Sequence, residues 1–310
     1  GKAFTVNLHG HRLNCDRLER HDAGFVAKHD PDFLFAGDPW FRAVELISAA
    51  DGGVYLADWS DIGECHENDG VHRTSGRILK VVHGPAKKSE PINLATADDA
   101  QLVLMQTSSN DWFARQSRRI LQERAADGRD MTGARAKLLE LFTASNSSTV
   151  TRLRAMWCLA SMDALDETWL IQQLKHNDEY VRVWAVRLLS ESNFDRLEAT
   201  EAWRIAQAFG QLAMSEKSGI VQIHLASALK RFPAGPEVAL NGAKADTNSL
   251  WMQRWLIAMG LTAKADFAND NMLPLLIWYG IEPAVTRQPA LAVNLAQRAR
   301  FPLLRQFIAR

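Results

Sequence analysis

The chain has 310 residues, enough for two ordinary domains, and 47% of them are hydrophobic, enough to build real cores. Its 36 basic and 36 acidic side chains cancel, so no bulk charge draws it to nucleic acid or to an anionic membrane. No apolar run reaches the roughly 18 residues that a bilayer-spanning helix needs, and the three scattered cysteines, Cys15, Cys65 and Cys158, make no disulfide framework.

The residue types are unevenly spread. Seven of the nine histidines lie within the first 83 residues, and eight of the ten tryptophans lie between Trp112 and Trp278. Two architectures therefore share the chain. It opens directly on the strand-like "AFTVNLHG" with no initiating methionine, which gives the expectation of a piece cut from something longer.

Up to about residue 84 the pattern has the period of strands. "KAFTVNLHGHRLNCDRL" alternates, and the short β-rich "GFVAKH", "FRAVELI", "GVYLADW" and "GRILKVV" follow. Clusters such as "HDPD", "AGDPW" and "ADGG" separate them as turns. Some six strands without intervening helices predict antiparallel β structure, and such a fragment leaves edges and an apolar face that something upstream must close.

If "NLHGHR" is extended, Asn7, His9 and His11 share one side, with the two imidazoles about 7 Å apart. That pair, with Arg12 beside it, is a candidate for holding a metal, a quinone or a sugar hydroxyl, or for plain satisfaction by neighbouring backbone.

Between the predicted strands 54–59 and 77–82 lies "SDIGECHENDGVHRTS". Asp58, Asp61, Glu64, Glu67 and Asp69 gather there with His66, His72 and Arg73. Hard carboxylate oxygens suit Ca²⁺, and an imidazole among acids suits general-base work. The spacing matches neither an EF-hand nor a zinc site, so the acids equally suit a loop that they hydrogen-bond into shape, or an inter-domain contact. Anions around Cys65 suppress its thiolate and argue against a nucleophile.

After "GPAKKSEPINLATADDA" the period becomes helical. Apolar stripes run through Thr151, Ala155, Cys158 and Leu159; Val181, Ala185, Leu188 and Leu189; Val221, Leu225, Ala228 and Leu229; and Met252, Leu256, Met259 and Gly260. Their starts are separated by 30, 40 and 31 residues (151, 181, 221, 252), the spacing at which stacked helical hairpins repeat. The tryptophans at 157, 169, 184, 203, 251 and 255 read as packing. Arg115, Arg118, Arg119, Arg124 and Arg129 are interleaved with acids and read as a solvated face rather than a nucleic-acid surface.

"NDWFARQSRRILQERA", "DEYVRVWAVRLLSE" and "SGIVQIHLASALKRF" resemble HEAT repeats, with Asp178, Val181 and Arg182 matching the start of the second helix. "AVELISAADGGVYLADWSD" followed by "SGRILKVVHG" resembles a blade of the glucose/sorbosone dehydrogenase-like β-propellers. Together with "HGHRLN", "HDPDFLFAGDPWFR" and "LPLLIWYGIEPAV", the chain is similar to the bacterial membrane-bound dehydrogenase family, which joins a propeller to HEAT repeats and often ends in a cytochrome c domain. Most blades and the Cys-x-x-Cys-His haem motif have no counterpart in this sequence.

The resemblance implies an α+β multidomain chain. Residues 1–86 are expected to form the last one or two blades of a β-propeller, 87–100 a linker, and 101–310 a HEAT-like α-solenoid. It implies a periplasmic or extracytoplasmic protein whose full-length form oxidises sugars or other alcohols. PQQ and Ca²⁺ serve such a molecule, with electrons passing to a quinone or cytochrome c. Upstream blades of the same polypeptide are then the first partner, and this piece alone lacks catalytic competence. Within that expectation His66, His72 and Arg73 are the catalytic candidates, His9, His11 and Arg12 bind cofactor, and Asp58, Asp61, Glu64 and Asp69 hold the metal. The alternative is a non-catalytic scaffold, in which the propeller face and the solenoid's concave surface bind a carbohydrate or protein partner.

Overall fold

A computed structural model of the chain describes residues 1–63, 72, 74–85, 91–191, 194–236 and 249–310. The backbone clusters into two units. The first is Gly1–Glu19, Phe25–Ser145 and Arg154–Met162; the second is Arg20–Gly24, Asn146–Leu153 and Asp163–Arg310.

The first unit holds two small sheets. Strands β1 (Lys2–Asn7), β2 (Arg12–His21) and β3 (Gly24–Phe35) pair in that order, and β4 (Ala43–Ser48), β5 (Val54–Asp58) and β6 (Arg77–Val81) form the other sheet. Side chains alternate along each strand, so the register decides what is buried. Val6 faces Leu13 across β1 and β2, while Leu46, Leu56 and Leu79 stand abreast across the second sheet. Val6, Leu46 and Leu79 pack against a core of Leu13, Phe41, Ala43 and Leu56.

Among the described residues, the expected partial propeller is not formed. Each sheet has three strands where a blade has four, and both sheets are open. The hairpin of β2 and β3 explains the difference. Its strands run for 10 and 12 residues, too long for blade strands, because "HDPD" continues β3 instead of turning. Pro31 has no N–H to give, and β3 accepts it as an edge strand. The outer face of β6 is likewise unlike a stacked blade, with Ile78 80% exposed.

Helices α1 (Asp99–Leu104), α2 (Asp111–Ala126) and α3 (Thr132–Thr143) complete the first unit with the later part of α4 (Thr149–Ser161). Asp98 and Gln101 form a reciprocal capping box at α1. Asn110 caps α2 by accepting from the Trp112 N–H at 3.0 Å, and its amide donates to Ala49 O and Ala50 O, tying the β4–β5 turn to that helix start.

In the second unit, helices alternate between two rows. One row is α5 (Glu167–Gln173), α7 (Ala199–Ser215), α9 (Leu250–Thr262) and α11 (Pro289–Arg298); the other is α6 (Glu179–Leu189), α8 (Gly219–Ala228), α10 (Leu273–Val285) and α12 (Pro302–Ala309). Most of the stripes read from the sequence lie inward. Val181, Ala185, Leu189, Val221, Leu225 and Leu229 are all buried.

A polar device recurs 40 residues apart. Arg182 on α6 donates to His176 O at 2.8 Å, six residues back, and Gln222 on α8 donates to Glu216 O at 3.1 Å, also six residues back. Both satisfy a carbonyl of the loop that leads into their own helix. Gln222 thus keeps the bond to the loop carbonyl that Arg182 makes, but not the arginine's ion pair.

The β2–β3 turn, residues 20–24, counts with the second unit. Ala23 is fully buried and presses on Gly219 at the start of α8, where an added Cβ would lie 2.3 Å from Ala23 Cα. Only glycine fits there. Asp270 accepts from the Ala23 N–H at 3.1 Å with one oxygen, and with the other from Met272 and Leu273 N–H at the start of α10.

Candidate functional site

Of the ten side chains singled out from sequence, His9, His11, Arg12, Asp58, Asp61 and His72 are described; Glu64, His66, Asp69 and Arg73 lie outside the described residues. Leu8 to His11 make a turn rather than a continued strand. Asn7 Oδ1 closes it by accepting from the Gly10 N–H at 2.8 Å, and His11 adopts φ 49°. His9 is exposed on that turn, whereas His11 Nδ1 sits 2.9 Å from Phe41 O and contacts the Arg42 guanidinium. Arg12 pairs with Asp32 at 3.5 Å.

Asp58 ends β5 and its side chain is fully buried. It accepts from the backbone N–H of Arg42 at 2.7 Å and of Ser60 at 3.0 Å, and from Arg77 Nε at 2.7 Å. Arg77 faces it directly in the β5–β6 register and reaches on to Asp38 at 2.8 Å. The Trp40 N–H and then Arg77 hold the Asp38 carboxyl below its usual range, and the two aspartates raise Arg77 in return.

Asp61 accepts from the N–H groups of His72 at 3.2 Å and Gly63 at 3.3 Å, and from the Trp59 indole at 3.3 Å. Burial alone would raise its carboxyl; these donors together outweigh burial and lower it. The His72 ring leans on Trp40, with centroids 4.5 Å apart. The Arg42 guanidinium, 7% exposed as a residue, donates to Pro39 O and Ile62 O.

This junction is a knot of internal hydrogen bonds. Both described carboxylates face N–H donors that already complement their charge, which suits holding the loop's ends in place. Among the described residues, no three His, Cys, Asp or Glu side chains converge as a metal site. Sequence reading missed Asp38, Arg42 and Arg77. The signal for Arg77 was available: two adjacent strands in a hairpin put position 58 opposite position 77.

A different kind of site lies within the second unit. Helices α7, α9 and α11 enclose a half-open trough of about 760 Å³. Trp203, Met214, Leu256 and Met259 supply its apolar wall, with Met214 70% and Leu256 40% exposed. Gly260 lets α9 approach α7 closely, since a Cβ there would come within 3.1 Å of Ala213 Cβ. Gln207 and Gln211 on α7 add amide groups that both donate and accept. Arg298 and Arg300 close one side, and the Arg300 N–H is fixed to Thr262 O at 3.0 Å, by the C-terminal end of α9.

The trough corrects one detail of the helical pattern. Leu256 and Met259 continue an apolar stripe that reads as core, yet they face the open trough while Trp255, Ile257 and Ala258 are buried. Helix α9 is apolar around most of its circumference, so it can line a core and a groove at once. That all-round character was the available signal.

Comparison of the chain with known family models and with curated protein sequences finds no match.

Proposed function

We propose that this chain is a non-catalytic binding scaffold that holds a segment of a partner protein in the trough formed by α7, α9 and α11. The observation that carries the reading is the set of large apolar side chains left in solvent on one concave strip, Met214 and Leu256 above all. Scattered exposed apolar residues need no explanation, but several lining one groove mark a contact surface. The trough is half open, whereas a small ligand is generally enclosed over most of its surface. A chain segment lying along the helices fits an open trough better, and stacked helices present surfaces of this kind.

The dehydrogenase and periplasmic expectations came with the propeller resemblance, and nothing in the structure supports either. The scaffold reading needs neither a propeller face nor a bound metal.

Selection of random peptides displayed on phage against the chain tests it. Enriched peptides are expected to bind Leu256→Glu and Met214→Glu about 30-fold more weakly, the loss of one central contact of roughly 2 kcal/mol. Both positions are solvent-exposed, so folding is preserved. Peptides that bind wild type and both variants alike would contradict the reading.

A further inference from the structure

Resting on that reading, we infer that the partner segment is acidic at one end, with a carboxylate that pairs with Arg298 and Arg300 while its apolar side chains fill the wall beside Leu256 and Met259. The charge inventory of the trough carries this. Among the described residues, Arg298 and Arg300 are the only charged side chains lining it, and no carboxylate lines it with them. Both are exposed, and neither has an ion-pair partner among the described residues. Two other exposed arginines of this unit are ion-paired, Arg204 with Glu167 and Arg20 with Glu179 at 2.8 Å.

Two unpaired cations at the edge of an apolar strip define a complementary ligand: apolar along its length and anionic where it meets them. Arg300 is held in place through its backbone bond to Thr262 O, and Arg298 stands in the last turn of α11, where a cation is favoured. Guanidinium groups bind a carboxylate through two parallel hydrogen bonds, which fixes the orientation of the segment as well as its charge. Opposite charge at such a rim also speeds association and makes it sensitive to salt.

The peptides enriched against wild type are compared with those enriched against the double variant Arg298→Glu, Arg300→Glu. Wild-type binders are expected to carry Asp or Glu at a constant offset from their apolar residues and to weaken on the order of 10-fold or more on the double variant. The double variant is expected to select basic residues at that same offset. Binders that need Leu256 but carry no acidic residue, and that hold to the double variant equally well, overturn this inference and leave the scaffold reading standing. Binders indifferent to Leu256→Glu overturn the scaffold reading, and this inference with it.

Discussion

Glu216→Ala is expected to cost the second unit about 3–5 kcal/mol, read as a lower midpoint in urea denaturation with little change in slope. Glu216 is 5% exposed and sits between α7 and α8. Its carboxylate takes both arms of Arg182, at 2.8 and 2.9 Å, and the N–H groups of Lys217 at 2.9 Å and Ser218 at 2.7 Å. Removing it leaves a largely buried guanidinium and two N–H groups at the start of α8 without their acceptor. Arg182 keeps His176 O and Asn177 O, so the cost falls short of a wholly stranded charge.

The same group sets a pH dependence. Burial pushes the Glu216 carboxyl up, but the Arg182 bonds and the two N–H donors outweigh it and leave it below its usual value. A carboxyl lowered by folding stabilises the fold above its unfolded value, about 4.3, and that stability is lost as pH falls through the lower folded value. Wild type is therefore expected to lose stability below about pH 4.3 more steeply than Glu216→Gln. Parallel acid titrations of the two would contradict the assignment.

Asp58→Ala is expected to cost the first unit a similar amount, about 3–5 kcal/mol. Three donors converge on this one buried side chain, from the start of β4, from Ser60 and from β6. The substitution strands two backbone N–H groups and one arm of Arg77 at once. Arg77→Ala is expected to cost clearly less, because the Arg77 side chain is 38% exposed and the two N–H groups keep their acceptor. Asp58→Asn keeps an acceptor for those N–H groups and lies between them. A loss for Asp58→Ala below about 1 kcal/mol in urea denaturation would show that these hydrogen bonds do not hold the second sheet together.

The change of period near residue 90 was readable because it depends only on neighbours along the chain. Strand β6 ends at Val81 and α1 begins at Asp99. Buried positions on α6 and α8 were readable for the same reason. The sheets' architecture was not. Whether "HDPD" turns or continues depends on whether β3 is an edge, which is a property of the assembled sheet rather than of those four residues.

The acidic loop illustrates the same limit at the level of chemistry. Five carboxylates in a short stretch look available for a cation when no partner is visible. Asp58 meets its partner 19 residues later, and Asp61 meets the His72 N–H 11 residues later. Composition counts charges, and only the fold says which are already neutralised. The trough was hidden in the opposite way. Its leucine and methionine sit in register with a core stripe; the sequence shows α9 apolar nearly all round, but which of those residues stay open is decided by the helices packed beside it.

A peptide selected on the chain and carrying a photoreactive group among its apolar residues measures the occupancy of this groove most directly. After illumination and digestion, mass spectrometry reads which side chains it has touched. Attachment at Met214, Leu256 or Met259 is the expected result. Attachment confined to the outer sheet faces, at Phe35 or Ile78 for example, would place recognition on the strands and contradict a scaffold built on the helices.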